Sequence, residues 1–360
     1  MIIKSGSNID KIGKQGTSHL FEHLVWFGLN DRSKTIDKME NIGFQWNGET
    51  HNGYMYFYFL SDKTHVLNQT KEFSEFVDNF RFTENMFKAQ KRIVQAEFFE
   101  NLEQPSSVEE SVIFNIMSGS GNNHKETMKS LDLINPLDVF DVYRQVYVKG
   151  NIEFIVTGDY DKKIQDRITK ILSKMKPPEL NISKPTINIK NDSKLYSYKT
   201  NYGVIARHTL YPSMNDIISE MIYDNIMTGF INTKLNKFLR DEISAAYDSS
   251  SSTENGINER IYYITFCIAN KNLLNKIIKD IKDKEFMSKI SSKWFIIGKQ
   301  RALMEMKTWD FRKIGEFMAG INSVTMYHLK YDDILDKLHT ISQSEFQEWL
   351  EKSDLFIYQV

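Results

Sequence analysis

One order of elements is written twice along the 360 residues, and a chain that repeats its own topology can fold in few ways. In the first half an apolar strand at residues 2–5 precedes a helix through 19–27 and a second helix over 33–41. A hairpin follows, with arms near 43–47 and 53–60. The second arm, Tyr54-Met55-Tyr56-Phe57-Tyr58-Phe59, is aromatic enough to favour a buried strand over a helix. Helices over 63–78, 83–102, 108–118 and 136–147 come next, Pro136 suiting a first helical turn. A strand at 151–159 and a helix at 162–174 close the half. The proline-bearing stretch 176–185 reads as a linker. Beyond it the order recurs: strand 204–211, helix 213–228, second helix 232–243, hairpin 246–251 and 261–269, further helices, and a final strand 354–360. The expected fold is α+β, with two homologous domains at 1–183 and 184–360. Each is an antiparallel-rich mixed sheet covered by helices.

Charge narrows the partners. Lys plus Arg (46) nearly balance Asp plus Glu (47), so no global field draws the chain to nucleic acid or to an anionic membrane. No run approaches the roughly 20 apolar residues that a spanning helix needs. The N-terminal residues show no cationic segment leading into an apolar core, so a cytoplasmic location is expected. Cys267, the single cysteine, lies in an apolar strand and is expected to be a buried, inert thiol.

The first helix carries His19-Leu20-Phe21-Glu22-His23. Residues four apart share a helix face, so both histidines can aim a ring nitrogen at one cation. Glu22 lies about 100° from His23 around the axis, bordering that cation without binding it. Such an offset suits a general base acting on water, and His-x-x-Glu-His inverts the commoner His-Glu-x-x-His order. A catalytic zinc wants three protein ligands and one open position. The helix over 83–102 offers Glu84, Glu97 and Glu100 as the third, and spacing does not choose among them. The first helix of the second half reads Asn215-Asp216-Ile217-Ile218-Ser219-Glu220-Met221, with no counterpart of the histidines.

Several segments resemble the inverzincin metallopeptidases, the family of pitrilysin, insulin-degrading enzyme and the mitochondrial processing peptidase. They are Gly6-Ser7, Gly16-Thr17-Ser18 leading into His19 to Leu24, the stretch Ile42-Gly43-Phe44-Gln45-Trp46-Asn47-Gly48-Glu49-Thr50, and Arg92-Ile93-Val94-Gln95-Ala96-Glu97. The resemblance implies one Zn2+ per chain, with Glu97 as the third ligand. It also implies Gln90 where the family has a second glutamate, so that outer tuning of the site differs here. Met1 falls almost on the glycine-serine segment, where the family has an additional strand and loop.

Leu239-Arg240-Asp241-Glu242-Ile243-Ser244-Ala245-Ala246-Tyr247 resembles the family segment in which an arginine and a later tyrosine grasp substrate. By that match Arg240 and Tyr247 hold the peptide and polarise its carbonyl. The family binds peptide as an added strand, which nominates Asn47 as a contact. Four such domains form the family's clamshell, so this two-domain chain is expected to supply half of one. A homodimer is expected because the metal motif and the Arg/Tyr pair share a chain, with a heterodimer of related subunits as the other form. The expected function is a zinc-dependent endopeptidase acting on peptides or short unfolded polypeptides, with Glu22 as general base. The alternative is a non-catalytic or partner-dependent peptide-binding subunit. Residues 249–256 read as a flexible hairpin tip, and Met304 with Met306 as core.

Overall fold

The computed structural model of the chain describes residues 1–28, 34, 36–38, 40–41, 43–102, 112–113, 124–179, 201–246, 249–256, 258–268, 270–283, 286–324 and 328–359. Of the expected helix over 33–41, residues 34, 36–38 and 40 are described and helical, whereas the expected helix over 108–118 lies largely outside the described residues. Two compact units emerge, one of Met1–Gln104 with Asn122–Thr186, the other of Pro105–Gly121 with Ile187–Val360.

The first unit holds β1 (Ile2–Ile3), α1 (Thr17–Phe27), β2 (Gln45–Thr50), β3 (Met55–Leu60), α2 (Val66–Asp78), α3 (Glu84–Leu102), α4 (His124–Leu133), α5 (Pro136–Val146), β4 (Ile152–Glu153) and α6 (Lys162–Leu172). The second holds β5 (Tyr202–Leu210), α7 (Met214–Met227), β6 (Ser250–Gly256), β7 (Glu259–Cys267), α8 (Lys271–Asp283), α9 (Ser292–Thr308), α10 (Phe311–Val324), α11 (Tyr331–Thr340), α12 (Gln343–Lys352) and β8 (Asp354–Gln359). Their four-stranded sheets run β2-β3-β1-β4 and β6-β7-β5-β8, the same permutation twice. Every ladder among the described residues is antiparallel.

The first core explains why α1 sits where it does. Leu20, Phe21, Leu24, Val25 and Trp26 are buried against Met55, Phe57, Phe73 and Phe76. Each such side chain contributes roughly 1.5–3 kcal/mol by leaving water. The start of α1 is capped from a distance. Asp10 Oδ2 accepts from the Gly16 N–H at 2.8 Å, and Asp10 Oδ1 accepts from the Ser18 N–H at 2.9 Å and the Ser18 hydroxyl at 2.6 Å. A carboxylate there satisfies orphan donors and meets the positive end of the helix dipole. Gly16 turns the chain at φ 91°, and a side chain on it would press within 2.9 Å of Leu131.

The second unit corrects four expectations. Residues 250–256 are not a loose tip but strand β6, paired with β7 along its length. Their polar side chains have partners that pattern-reading does not show: Ser250 bonds Thr265, Thr253 donates to Glu220, and Asn255 accepts from Arg260. Cys267 is exposed, because at the end of β7, opposite the half-buried Tyr202, it points to the face away from the buried Ile264, Phe266 and Ile268. Met306 is core, whereas Met304 is 66% exposed on the opposite face of α9. The expected helix over 232–243 is a short turn at Lys234–Asn236 that continues as a π-helix over Lys237–Glu242, before Ser244 adopts φ 55°. Among the described residues no helix is long and apolar enough to cross a membrane.

Candidate metal centre

Three donors converge on the outward side of α1. His19 and His23 stand one turn apart with ring centroids 4.9 Å from each other, edge to face. The third comes from α3. Glu97 Oε2 lies 3.4 Å from His19 Nε2 and 3.5 Å from His23 Nε2. A tetrahedron whose ligand bonds are about 2.0–2.1 Å has edges of about 3.3 Å. Two imidazole nitrogens and one carboxylate oxygen at that separation could hold zinc, and the types suit that metal. Glu97 is 42% exposed while the His23 side chain is 13% exposed, so the cluster opens to solvent on the Glu97 side.

Glu22, His19 and His23 also keep their donor atoms within 4.8 Å of one another. Glu22 is nonetheless the outlier, its Oε2 being 4.0 Å from His19 Nε2. Its carboxylate is held instead by β2, whose Thr50 hydroxyl donates to Oε2 at 2.9 Å. Beneath it lies Gly48. An added Cβ there would come within 2.9 Å of both Glu22 Cγ and Oε1. Gln90, two helical turns before Glu97 on the same face of α3, places Oε1 3.1 Å from His23 Nδ1.

Electrostatics separate these groups. Burial, followed by the neighbouring His23, pushes His19 down to about 4, which leaves its lone pair free at neutral pH. Burial opposes the charged form of His23, but Glu97, Glu22 and Gln90 outweigh it and raise the ring above its usual range. Glu97 is held below the ordinary carboxylate range, chiefly by His23. Burial pushes Glu22 up to about 7, against the opposing pull of His23 and Thr50.

Other nominated residues lie elsewhere. Asn47 is exposed on β2, the outermost strand, and faces away from α1. Arg240 belongs to the second unit, where its guanidinium pairs with Asp241 at 2.6 Å and 3.1 Å. Tyr247 lies outside the described residues. Asp10, Gly48, Thr50 and Phe98, whose ring meets His19 edge-on at 5.6 Å, were not identified from the sequence. Only the Gly and Thr inside an otherwise strand-like 45–50 hint at a close approach there.

In the second unit, α7 places acids where α1 has ligands. Counting from the caps Gly16 and Ser213, His19 corresponds to Asp216, Glu22 to Ser219 and His23 to Glu220. There the cations are side chains: Lys352 meets Asp216 at 2.6 Å, and Arg260 meets Glu220 at 2.7 Å. Among the described residues His19, Glu22 and His23 form the one such metal-competent group.

Comparison with known proteins agrees with this architecture. A family model described as insulinase (peptidase family M16) matches residues 1–130, and one described as the peptidase M16 inactive domain matches residues 134–287. No protein with a curated description matches the chain. Among solved structures, a protease from Helicobacter pylori shares 12% identity over 99% of this chain and 92% of its own, with a TM-score of 0.74. A chain of complex III2 from Candida albicans shares 13% over 99% and 89%, with a TM-score of 0.77. The first half of the periplasmic protease PqqL from Escherichia coli shares 17% over 99% and 85%, with a TM-score of 0.69. With both of its halves matched and its fold shared across these structures, the chain belongs to the M16, or insulinase, family of peptidases.

Proposed function

We infer that the chain is a zinc-dependent endopeptidase acting on peptides or short unfolded polypeptides. The observation that carries this is the equal approach of Glu97 Oε2 to both imidazole Nε2 atoms, at 3.4 Å and 3.5 Å. His19, His23 and Glu97 hold the metal, and a zinc ion bound there supplies Lewis acidity. Glu22 is the general base. It takes a proton from the water that attacks the scissile carbonyl carbon, then delivers it to the amine as the C–N bond breaks. Its carboxyl, pushed up to about 7 by burial, suits both roles at neutral pH. Thr50 and Gly48 fix where that carboxylate stands.

The peptide adds as a strand to the outer edge of β2, which carries no ladder among the described residues. Asn47 contacts it, while Arg240 and Tyr247 grip it and polarise the carbonyl. A homodimer is supported by one chain carrying both the metal set and the Arg/Tyr segment; solution mass tests it. A cytoplasmic site of action is supported by the single cysteine, which leaves no disulfide within the chain, and cell fractionation tests it.

The decisive experiment is Glu22→Gln. It keeps about one zinc per chain and loses hydrolysis of a mixed peptide pool; a variant that cuts as fast as wild type refutes the mechanism. A non-catalytic or partner-dependent subunit is the second reading, favoured by the inactive-domain match over residues 134–287 and the likeness to a chain of complex III2. Zinc-loaded wild type that cleaves only when a companion chain is added would establish it.

A further inference from the structure

His19 and His23 are not held alike. His23 Nδ1 lies 3.1 Å from Gln90 Oε1, and Gln90 is only 6% exposed. Among the described residues His19 Nδ1 has no hydrogen-bond partner, and its ring leans on Phe98 instead. One ligand is therefore anchored by a hydrogen bond and the other by packing.

The chemistry of that anchor matters. An amide oxygen only accepts, so it places the proton of neutral His23 on Nδ1 and leaves the lone pair on Nε2, the atom facing His19 and Glu97. A glutamine turned the other way would donate to Nδ1 and put the proton on Nε2, where it blocks a cation. A carboxylate has no such alternative, and its charge would also raise the basicity of the ring. Buried beside His23, the side chain of residue 90 thus sets both the tautomer of a ligand and the net charge around the cluster.

We propose that Gln90 is a positioning residue that holds His23 in its metal-binding tautomer, and that its neutral amide gives this chain a weaker, more exchangeable zinc than a carboxylate at the same position would. This rests on the reading of His19, His23 and Glu97 as the zinc-holding set.

The test is a chelator-competition titration of zinc on the full chain, comparing wild type, Gln90→Glu and Gln90→Leu, with histidine 15N shifts recorded metal-free and loaded. Gln90→Glu should tighten zinc by about 10-fold, and Gln90→Leu should weaken it by about 10-fold or more. The loaded wild type should show His23 protonated on Nδ1. Equal or weaker binding by Gln90→Glu overturns the proposal, and that isosteric variant stands alone if Gln90→Leu fails to fold. Wild type that takes up no zinc would overturn the zinc reading itself, a result distinct from three proteins that bind it equally.

Discussion

Replacing Gly48 by alanine isolates what β2 does for Glu22. The new methyl would sit 2.9 Å from Glu22 Cγ and Oε1 and 3.1 Å from Cδ. Ordinary carbon contacts begin at about 3.5 Å, so roughly half an ångström of overlap must be relieved. The backbone offers no objection, since Gly48 is not in the left-handed region. Two routes of relief exist. If the strand keeps its place, overpacking costs about 1–3 kcal/mol. If Glu22 swings away, it loses its bond from Thr50, a charged-group hydrogen bond of about 1.5–3 kcal/mol. Both routes move the carboxylate, and a displacement of about 1 Å at a reacting group costs on the order of 100-fold in rate. The metal ligands lie on α1 and α3 rather than β2 and should be spared. The assay is steady-state cleavage of a fluorogenic peptide alongside zinc content and thermal unfolding. The expected result is a kcat lower by about 100-fold, KM within a few-fold of wild type, and full zinc occupancy. A folded, zinc-loaded variant with kcat within threefold of wild type would refute the claim that Gly48 sets the base.

Thr50→Val removes the hydroxyl that donates to Glu22 and should lower kcat by about 10-fold with zinc retained, while Thr50→Ser recovers most of it; equal rates for the two would remove Thr50 from the site. Arg260→Leu strands the buried Glu220 carboxylate and should lower the unfolding free energy by about 3–5 kcal/mol, a loss that Glu220→Leu added to it relieves. Chemical denaturation of metal-free protein measures this, and a single variant as stable as wild type would contradict it. The pH prediction concerns the metal-free chain. Because folding raises Glu22 from 4.5 to about 7, its protonated form is favoured in the native state. Its contribution is present below about pH 4.5 and is lost as pH rises through 7. Wild type minus Glu22→Gln stability should therefore fall across that window, which cancels the separate effect of His19, and a flat difference would count against the burial of Glu22.

What the sequence made visible follows from which signals are local. His19, Glu22 and His23 lie within one helical turn and a half, where spacing alone fixes the shared face. Glu97 was one of three acids on its helix until family likeness singled it out, because its proximity to the histidines depends on how α3 crosses α1. The doubled element order was readable, and so were most helices. Boundaries failed where tertiary partners override pattern. The serine-rich 250–256 is a strand because Thr265 and Arg260 on β7, and Glu220 on α7, satisfy its side chains. Cys267 is exposed because the alternation of β7 turns it away from the face that buries Phe266 and Ile268. Thr50 and Gly48 were missed because their importance lies in a contact with a residue nearly thirty positions away. The asymmetry of the two halves shows in the sequence only as the missing histidines; that Asp216 and Glu220 pair with Lys352 and Arg260 depends on residues 40 or more positions away.

Strand β2 also divides labour by parity. Trp46, Gly48 and Thr50 point at α1, the first packing on Trp26 and the others fixing Glu22, whereas Gln45, Asn47 and Glu49 point the opposite way. Under the proposed function, the strand that receives the peptide is therefore also the mount for the base, yet its two duties fall on alternate residues. Drift or engineering can rewrite the outward set and so change which peptides are accepted, while the inward set stays under tight steric control. A frameshift of one residue in the pairing of β2 with β3 would exchange the two roles at once, so a single-residue insertion in this hairpin would be far more damaging than several substitutions at the odd-numbered positions of β2.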